Sequence, residues 1–291
     1  MIKPFQLSSP ATVAEASGEL ARLGEQGKIY AGGAELLLLL RHGLINAAHF
    51  IDVKGIPGLN EIRSNSETFH IGATVTHHQL ETDAAVLQHL PMFADAEAHV
   101  ANIRVRNQWT LGGNLCFNDP HSDPGTALLV YEAKVKLEGR NGAREMDLEE
   151  FLVGSYEIAL GEDELLTAID VSPLPSDYGS AYHSIHRYQR PTLGVAVAAS
   201  WEGDRISGVR AAVGCVGPKP IRLKELETNL MGVTLEDAGR LCGDADASLR
   251  DLLQPVDDLL GSADYKMYMT RTFLVQGLEQ ASQGKNRKGH G

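Results

Sequence analysis

Lys28-Ile29-Tyr30-Ala31-Gly32-Gly33-Ala34-Glu35-Leu36 is the stretch on which the reading of the fold turns. Lys28 to Tyr30 reads as a short strand, and Glu35 to His42 as a helix stopped by Gly43. The glycine pair between them has no Cβ, so it can take positive φ and let backbone amides approach a ligand closely. Consecutive N–H groups in such a turn form an anion-binding concavity, and the helix start adds its own unpaired donors. A plain tight turn would use the same glycines.

A second pair lies far along the chain, in Thr110-Leu111-Gly112-Gly113-Asn114, and reads as another loop. A polar cluster follows it: Asn118, Asp119, Ser122 and Asp123. Asp123, before Pro124, reads as a helix N-cap or as a carboxylate for sugar hydroxyls or an adenine amine, and one residue can do both. One glycine loop suits a phosphate. Two suit a pyrophosphate clamped from both sides, as a dinucleotide presents it. No GxGxxG follows the strand and no GxxxxGK is present, so the site is neither Rossmann nor P-loop.

Thr12 with Glu15 and Thr76 with Gln79 read as capping boxes. The first opens a helix with Val13, Ala16, Leu20 and Leu23 on one face; the second opens a helical stretch to about Val100. His49 to Val53, Phe69 to Ala73, Ala133 to Leu137 and Leu165 to Val171 read as strands, and Thr126 to Tyr131 as a short helix. Asn141-Gly142 is a hairpin signal, and Pro173 to Gly179 has linker composition. Beyond it, Tyr182 to Tyr188, Gly194 to Trp201 and Ile206 to Val213 read as three strands, the last two joined at Glu202-Gly203-Asp204. Helices are expected near Leu223 to Met231, Leu235 to Cys242 and Ala263 to Ala281. The expected fold is α+β: a mixed α/β domain over 1–176, and a small domain over 177–282 with a three-stranded antiparallel sheet. A flexible tail over 283–291 would hold Lys285-Asn286-Arg287-Lys288.

The formal net charge of −12 disfavours nucleic acid and anionic membrane surfaces as partners, since both need clustered cations. No apolar stretch is long enough to span a membrane, and no signal peptide is visible, which makes the cytoplasm the expected address. Cys116, Cys215 and Cys242 form no CxxC pair, so no zinc ribbon, disulfide framework or iron–sulfur cluster is expected in this chain. His77-His78 and the pair His183 and His186 lack metal-site spacing, since three residues along a strand place side chains on opposite faces. Ser155 and Ser184 lack a GxSxG elbow. No metal and no catalytic acid, base or nucleophile is expected.

At the two glycine pairs the sequence resembles the FAD-binding medium subunit of the molybdenum hydroxylases. That family includes the flavoprotein subunit of aerobic carbon monoxide dehydrogenase and the flavin domain of xanthine dehydrogenase. Its AGG motif matches Ala31 to Glu35, its IRN-x-GT-x-GGN matches Val105 to Asn114, and its DP-x-x-D matches Asp119 to Asp123. The resemblance extends to Asp52 to Leu59 and to Gly261 to Lys266. It implies the two-part α/β FAD domain shared with vanillyl-alcohol-oxidase-type flavoproteins, followed by a small C-terminal domain. It implies non-covalent FAD, its pyrophosphate held by Ile29, Tyr30, Ala31, Gly32, Gly33, Ala34, Glu35 and Leu36 and by Thr110, Leu111, Gly112, Gly113 and Asn114. Asp123 would contact the adenosine half, Leu165 would lie near the flavin or ribityl, and Asn118 and Val100 are further cofactor-binding candidates. It implies electron transfer between a small [2Fe–2S] subunit and an external acceptor, and a large molybdopterin subunit in a dimer of heterotrimers. Two departures stand out: Trp109 occupies a position where the family usually has Gly, and in Ser184 to Gly194 there is no lysine and Pro191-Thr192 replaces an acidic residue. Two rivals share the fold: a stand-alone flavin oxidase or dehydrogenase, and an assembly partner without FAD.

Overall fold

A computed structural model describes residues 4–65, 67–187 and 190–287. Strands β1 (Gln6–Ser8), β2 (Gly27–Tyr30) and β3 (His49–Asp52) form a parallel sheet in the order β1-β3-β2. Helix α1 (Val13–Leu23) buries the expected stripe, with Ala16 against Ile51, Val53 and Ile56. Full burial of a side chain such as Ile51 contributes about 1.5–3 kcal/mol. Thr12 caps α1 by accepting from the Glu15 N–H, but the Glu15 carboxylate accepts from Ala11, one residue short of a reciprocal box. Helix α2 (Ala34–His42) starts at Gly33 and stops at Gly43, both left-handed.

Next come β4 (Ile62–Ser64), β5 (Phe69–Gly72), β6 (Lys134–Gly139), β7 (Gly142–Asp147), the hairpin β8 (Leu152–Gly154) and β9 (Glu157–Ile158), and β10 (Leu165–Val171). All but the hairpin form one antiparallel sheet in the order β4-β5-β10-β6-β7. Asn141-Gly142 turns β6 into β7, a strand too polar to stand out in the sequence.

The single helical stretch expected after Thr76 is three helices: α3 (His77–Thr82), α4 (Ala84–His89) and α5 (Pro91–His99). Asp83 ends the first and caps the second, accepting from Ala85 and Val86. Pro91 cannot donate back into a preceding turn, so a new helix starts there. The Thr76–Gln79 capping box is complete. Short helices α6 (Ile103–Arg106), α7 (Leu111–Phe117), α8 (Pro124–Val130) and α9 (Leu148–Phe151) follow.

The coil after Val171 leads into β11 (Gly179–Arg187), β12 (Arg190–Glu202), β13 (Arg205–Gly214) and β14 (Ile221–Arg222). They form an antiparallel sheet in sequence order, so the expected three-stranded sheet has a short fourth strand, held by Ala212 and Val213. Strand β12 is buried over ten consecutive residues because it serves two cores. Leu193, Val195, Val197 and Ala199 face the C-terminal helices, while Ala196 and Ala198 join Leu128 and Val130 of α8.

The C-terminal helices are α10 (Lys224–Leu230), α11 (Leu235–Asp244), α12 (Asp246–Leu253) and α13 (Ala263–Arg287). The sequence reading missed α12. Helix α13 continues through Lys285-Asn286-Arg287, past the expected start of the tail, while Lys288 and the residues after it lie outside the described residues. Tyr188, expected to end a strand, also lies outside them. Among the described residues no helix is long and apolar enough to cross a membrane.

Candidate functional site

The two glycine pairs meet in space. A Cβ on Gly32 would stand 2.5 Å from the Gln108 carbonyl oxygen and 2.9 Å from the Trp109 Cα. Gly33 has φ of +70° and opens α2 with no side-chain cap. The N–H groups of Ala34, Glu35 and Leu36 therefore lack intrahelical acceptors and carry the positive end of the helix dipole. They border a cavity of about 340 Å³.

The second pair differs from expectation. Its residues are the first turn of α7, not a loop: Thr110 is the N-cap, and its hydroxyl accepts from the Gly113 N–H at 3.2 Å. The Leu111 N–H donates to Val75 and the Gly112 N–H to Ala73, each at 2.9 Å, and the Asn114 N–H donates to Thr110. These amides are spent within the protein, so the backbone donors for an anion are concentrated in the first pair. A Thr two residues before Gly-Gly is a recognisable cap signal, and the loop reading passed over it.

Ile29, Ala31, Gly32, Gly33, Ala34, Glu35 and Leu36 all line the cavity. Val100, Thr110, Gly112, Gly113, Asn114, Asp123 and Leu165 line it too. Three expected residues do not. The Tyr30 ring packs on Gly33, and the Lys54 ammonium lies over the ring, 4.6 Å from its centroid. Leu111 is fully buried in the core. Asn118 takes a left-handed conformation (φ +46°), and its amide donates to the Gly154 and Glu157 carbonyls, tying α7 to the β8–β9 hairpin. The sequence reading missed the apolar wall from Val53, Leu59, Ala73 and Leu166. These residues sit at element ends far apart in the chain, so no local pattern joins them.

Asp119 and Asp123 supply carboxylates to the cavity lining. Asp119 pairs with Arg190 at 2.8 Å. Asp123 is only 2% exposed, and its carboxylate accepts from the Tyr182 hydroxyl at 2.6 Å instead of capping α8. Burial, and then the charge of Asp123, push the Tyr182 hydroxyl well up, so it stays a donor. Burial, followed by the charge of Asp119, raises Glu35 above the usual carboxylate range, with Arg190 opposing. Cys116 also lines the cavity, and burial pushes its thiol up to about 12, so little nucleophilic thiolate is present. His183 and His186 lie on β11, and among the described residues no three His, Cys, Asp or Glu are placed to hold a metal.

An uncapped helix start, an apolar wall and a buried carboxylate around one cavity suit a dinucleotide, in an α+β fold outside the Rossmann class. Comparison with known proteins sharpens this. The family of the FAD binding domain in molybdopterin dehydrogenase matches residues 3–174, and that of the CO dehydrogenase flavoprotein C-terminal domain matches 180–281. The carbon monoxide dehydrogenase medium chain of Hydrogenophaga pseudoflava is 32% identical over 285 residues, covering 97% of this chain and 98% of the relative. The nicotine 6-hydroxylase medium subunit of Paenarthrobacter nicotinovorans is 30% identical over 278 residues, covering 95% and 97%. The solved carbon monoxide dehydrogenase from Hydrogenophaga pseudoflava matches with a TM-score of 0.91 at 31% identity, covering 97% of this chain and 99% of that one. The chain thus belongs to the FAD-binding medium subunits of molybdenum hydroxylases of the CO dehydrogenase and xanthine dehydrogenase type. It is an oxidoreductase subunit, and the resemblance drawn from the glycine pairs is borne out.

Proposed function

We propose that this chain holds non-covalent FAD between the [2Fe–2S] clusters of a small partner subunit and an external electron acceptor. Hydroxylation would belong to a large molybdopterin subunit, in a dimer of heterotrimers. The observation that carries this reading is the uncapped first turn of α2, set against Gln108–Thr110 and bordering a cavity lined by both apolar side chains and carboxylates. FAD, when bound, supplies the redox chemistry. The Ala34, Glu35 and Leu36 amides would hold its diphosphate, and Thr110, Gly113 and Asn114 would close the other side. Asp123 has acceptor sites left beyond Tyr182 and would take a sugar hydroxyl. Val100, Leu165 and Leu166 would exclude water from the ring system. The expected division into domains at residue 176 is part of the same proposal.

The relatives act on different molecules by name, carbon monoxide and nicotine, so this subunit is not read as the one that selects the substrate. The test is an absorption spectrum of the purified chain and of its supernatant after acid precipitation. Flavin released to the supernatant supports the reading; a colourless chain that takes up no added FAD refutes it. Flavin that stays with the precipitate would favour a stand-alone oxidase with a covalent cofactor. Iron and molybdenum assays of the native complex then test the partner subunits.

A further inference from the structure

We infer that Trp109 donates its indole N–H to the diphosphate of the bound dinucleotide, completing the clamp on the side where the backbone donors are already spent. The inference rests on the FAD reading and adds a cofactor contact that the two glycine pairs do not supply.

The Trp109 Cα would stand 2.9 Å from a Cβ on Gly32, so this residue lies directly across from the turn that opens α2. Trp109 lines the cavity and is neither fully buried nor exposed. Its backbone is fastened on both sides: its N–H donates to Val105 at 2.8 Å, and its carbonyl accepts from the His77 N–H at 3.1 Å. A side chain on so fixed a backbone has a limited choice of directions.

Among the described residues the indole N–H has no hydrogen-bond partner, and it is not among the buried orphan atoms, so it meets open space. Indole is a donor only, and a partly buried Trp usually finds an acceptor for it. Leu111, Gly112, Gly113 and Asn114 have no backbone amide to give. A diphosphate seated on the first turn of α2 therefore meets an unspent donor at Trp109, and phosphate oxygens are the strongest acceptors that a dinucleotide offers.

Three ligands separate this from simple packing: FAD and ADP, which carry the diphosphate, and riboflavin, which does not. Trp109→Phe keeps an aromatic ring and removes the donor. The full chain with this substitution is expected to bind FAD and ADP about tenfold more weakly, and riboflavin as before. Equal FAD affinity in the variant, or riboflavin weakened as much as FAD, overturns the proposal. A wild-type chain that binds neither FAD nor ADP sinks the cofactor reading itself and this inference with it. If Trp109→Phe does not fold, the unsubstituted chain still decides. With ¹⁵N-labelled tryptophan, the chain gives two indole N–H signals, from Trp109 and Trp201. ADP should move the Trp109 signal strongly downfield while riboflavin does not, and an unmoved signal at saturating ADP rejects the contact.

Discussion

Gly32 lies in backbone contact with Gln108: a methyl group added to the glycine would stand 2.5 Å from the Gln108 carbonyl oxygen. This contact sets the start of α2 against the segment that leads into α7. Gly32→Ala must push the two segments apart. The expected cost is about 1–3 kcal/mol of stability, together with a marked loss of FAD affinity. Gly43, with open space around it but φ of +70°, is the control. Its Ala variant should lose stability through strain yet keep its FAD affinity. Chemical unfolding and FAD titration of both variants check this; equal FAD loss in the two would contradict it.

Tyr182 and Asp123 form the second decisive pair. Tyr182→Phe leaves a carboxylate that is 2% exposed without its hydroxyl donor. The expected destabilisation is about 1–3 kcal/mol. Thermal melts with and without FAD should show the larger drop in the FAD-free chain, where no cofactor hydroxyl can replace the lost donor.

Glu35 makes cofactor binding depend on pH. Burial and Asp119 raise its carboxyl above the usual value of 4.5, against Arg190. The folded chain therefore holds this proton more tightly than the unfolded chain. The stability it contributes is complete below 4.5 and is lost as pH rises through the folded value. Diphosphate on the neighbouring amides would raise the carboxyl further. FAD affinity should accordingly fall as pH rises through the folded value of the FAD-free chain, by at most about tenfold per unit. FAD titrations across pH should show a flatter profile for Glu35→Gln; identical profiles would remove Glu35 from the account.

His77 and Glu97 are hydrogen-bonded and both fully buried, between α3 and α5. Removing one partner strands the other in the core, so His77→Ala should cost about 3–5 kcal/mol. The exposed pair Lys224 and Glu149 is the contrast, and Lys224→Ala should cost under about 1 kcal/mol. Urea unfolding of the two variants measures the gap. Similar costs would show that burial does not decide the worth of these pairs.

Much of this protein was legible because its signals are local. The strand into Gly32-Gly33, the helix to Gly43, the Thr76 capping box, the Asn141-Gly142 turn and the long strands of the last sheet each rest on a few neighbouring residues. Local reading failed where two rules competed. The second glycine pair satisfies the rule for loops, yet Thr110 caps a helix that contains it. The stretch from Thr76 to Val100 has helical periodicity throughout, but Asp83 and Pro91 cut it twice. Strand β7 is mostly exposed and shows no apolar face to read.

Sequence alone determined the family, its dinucleotide ligand and the glycine turn that opens α2, because such a turn at a helix start is written in consecutive residues. Tertiary structure alone decided which donors remain for the ligand. The Leu111 and Gly112 amides are spent on Val75 and Ala73, residues far away in sequence. The Asp123 carboxylate is turned from α8 to Tyr182 on β11. Hydrogen-bond satisfaction in a buried site is a property of the whole packed chain, so a motif shows that a donor exists but not whether it is free.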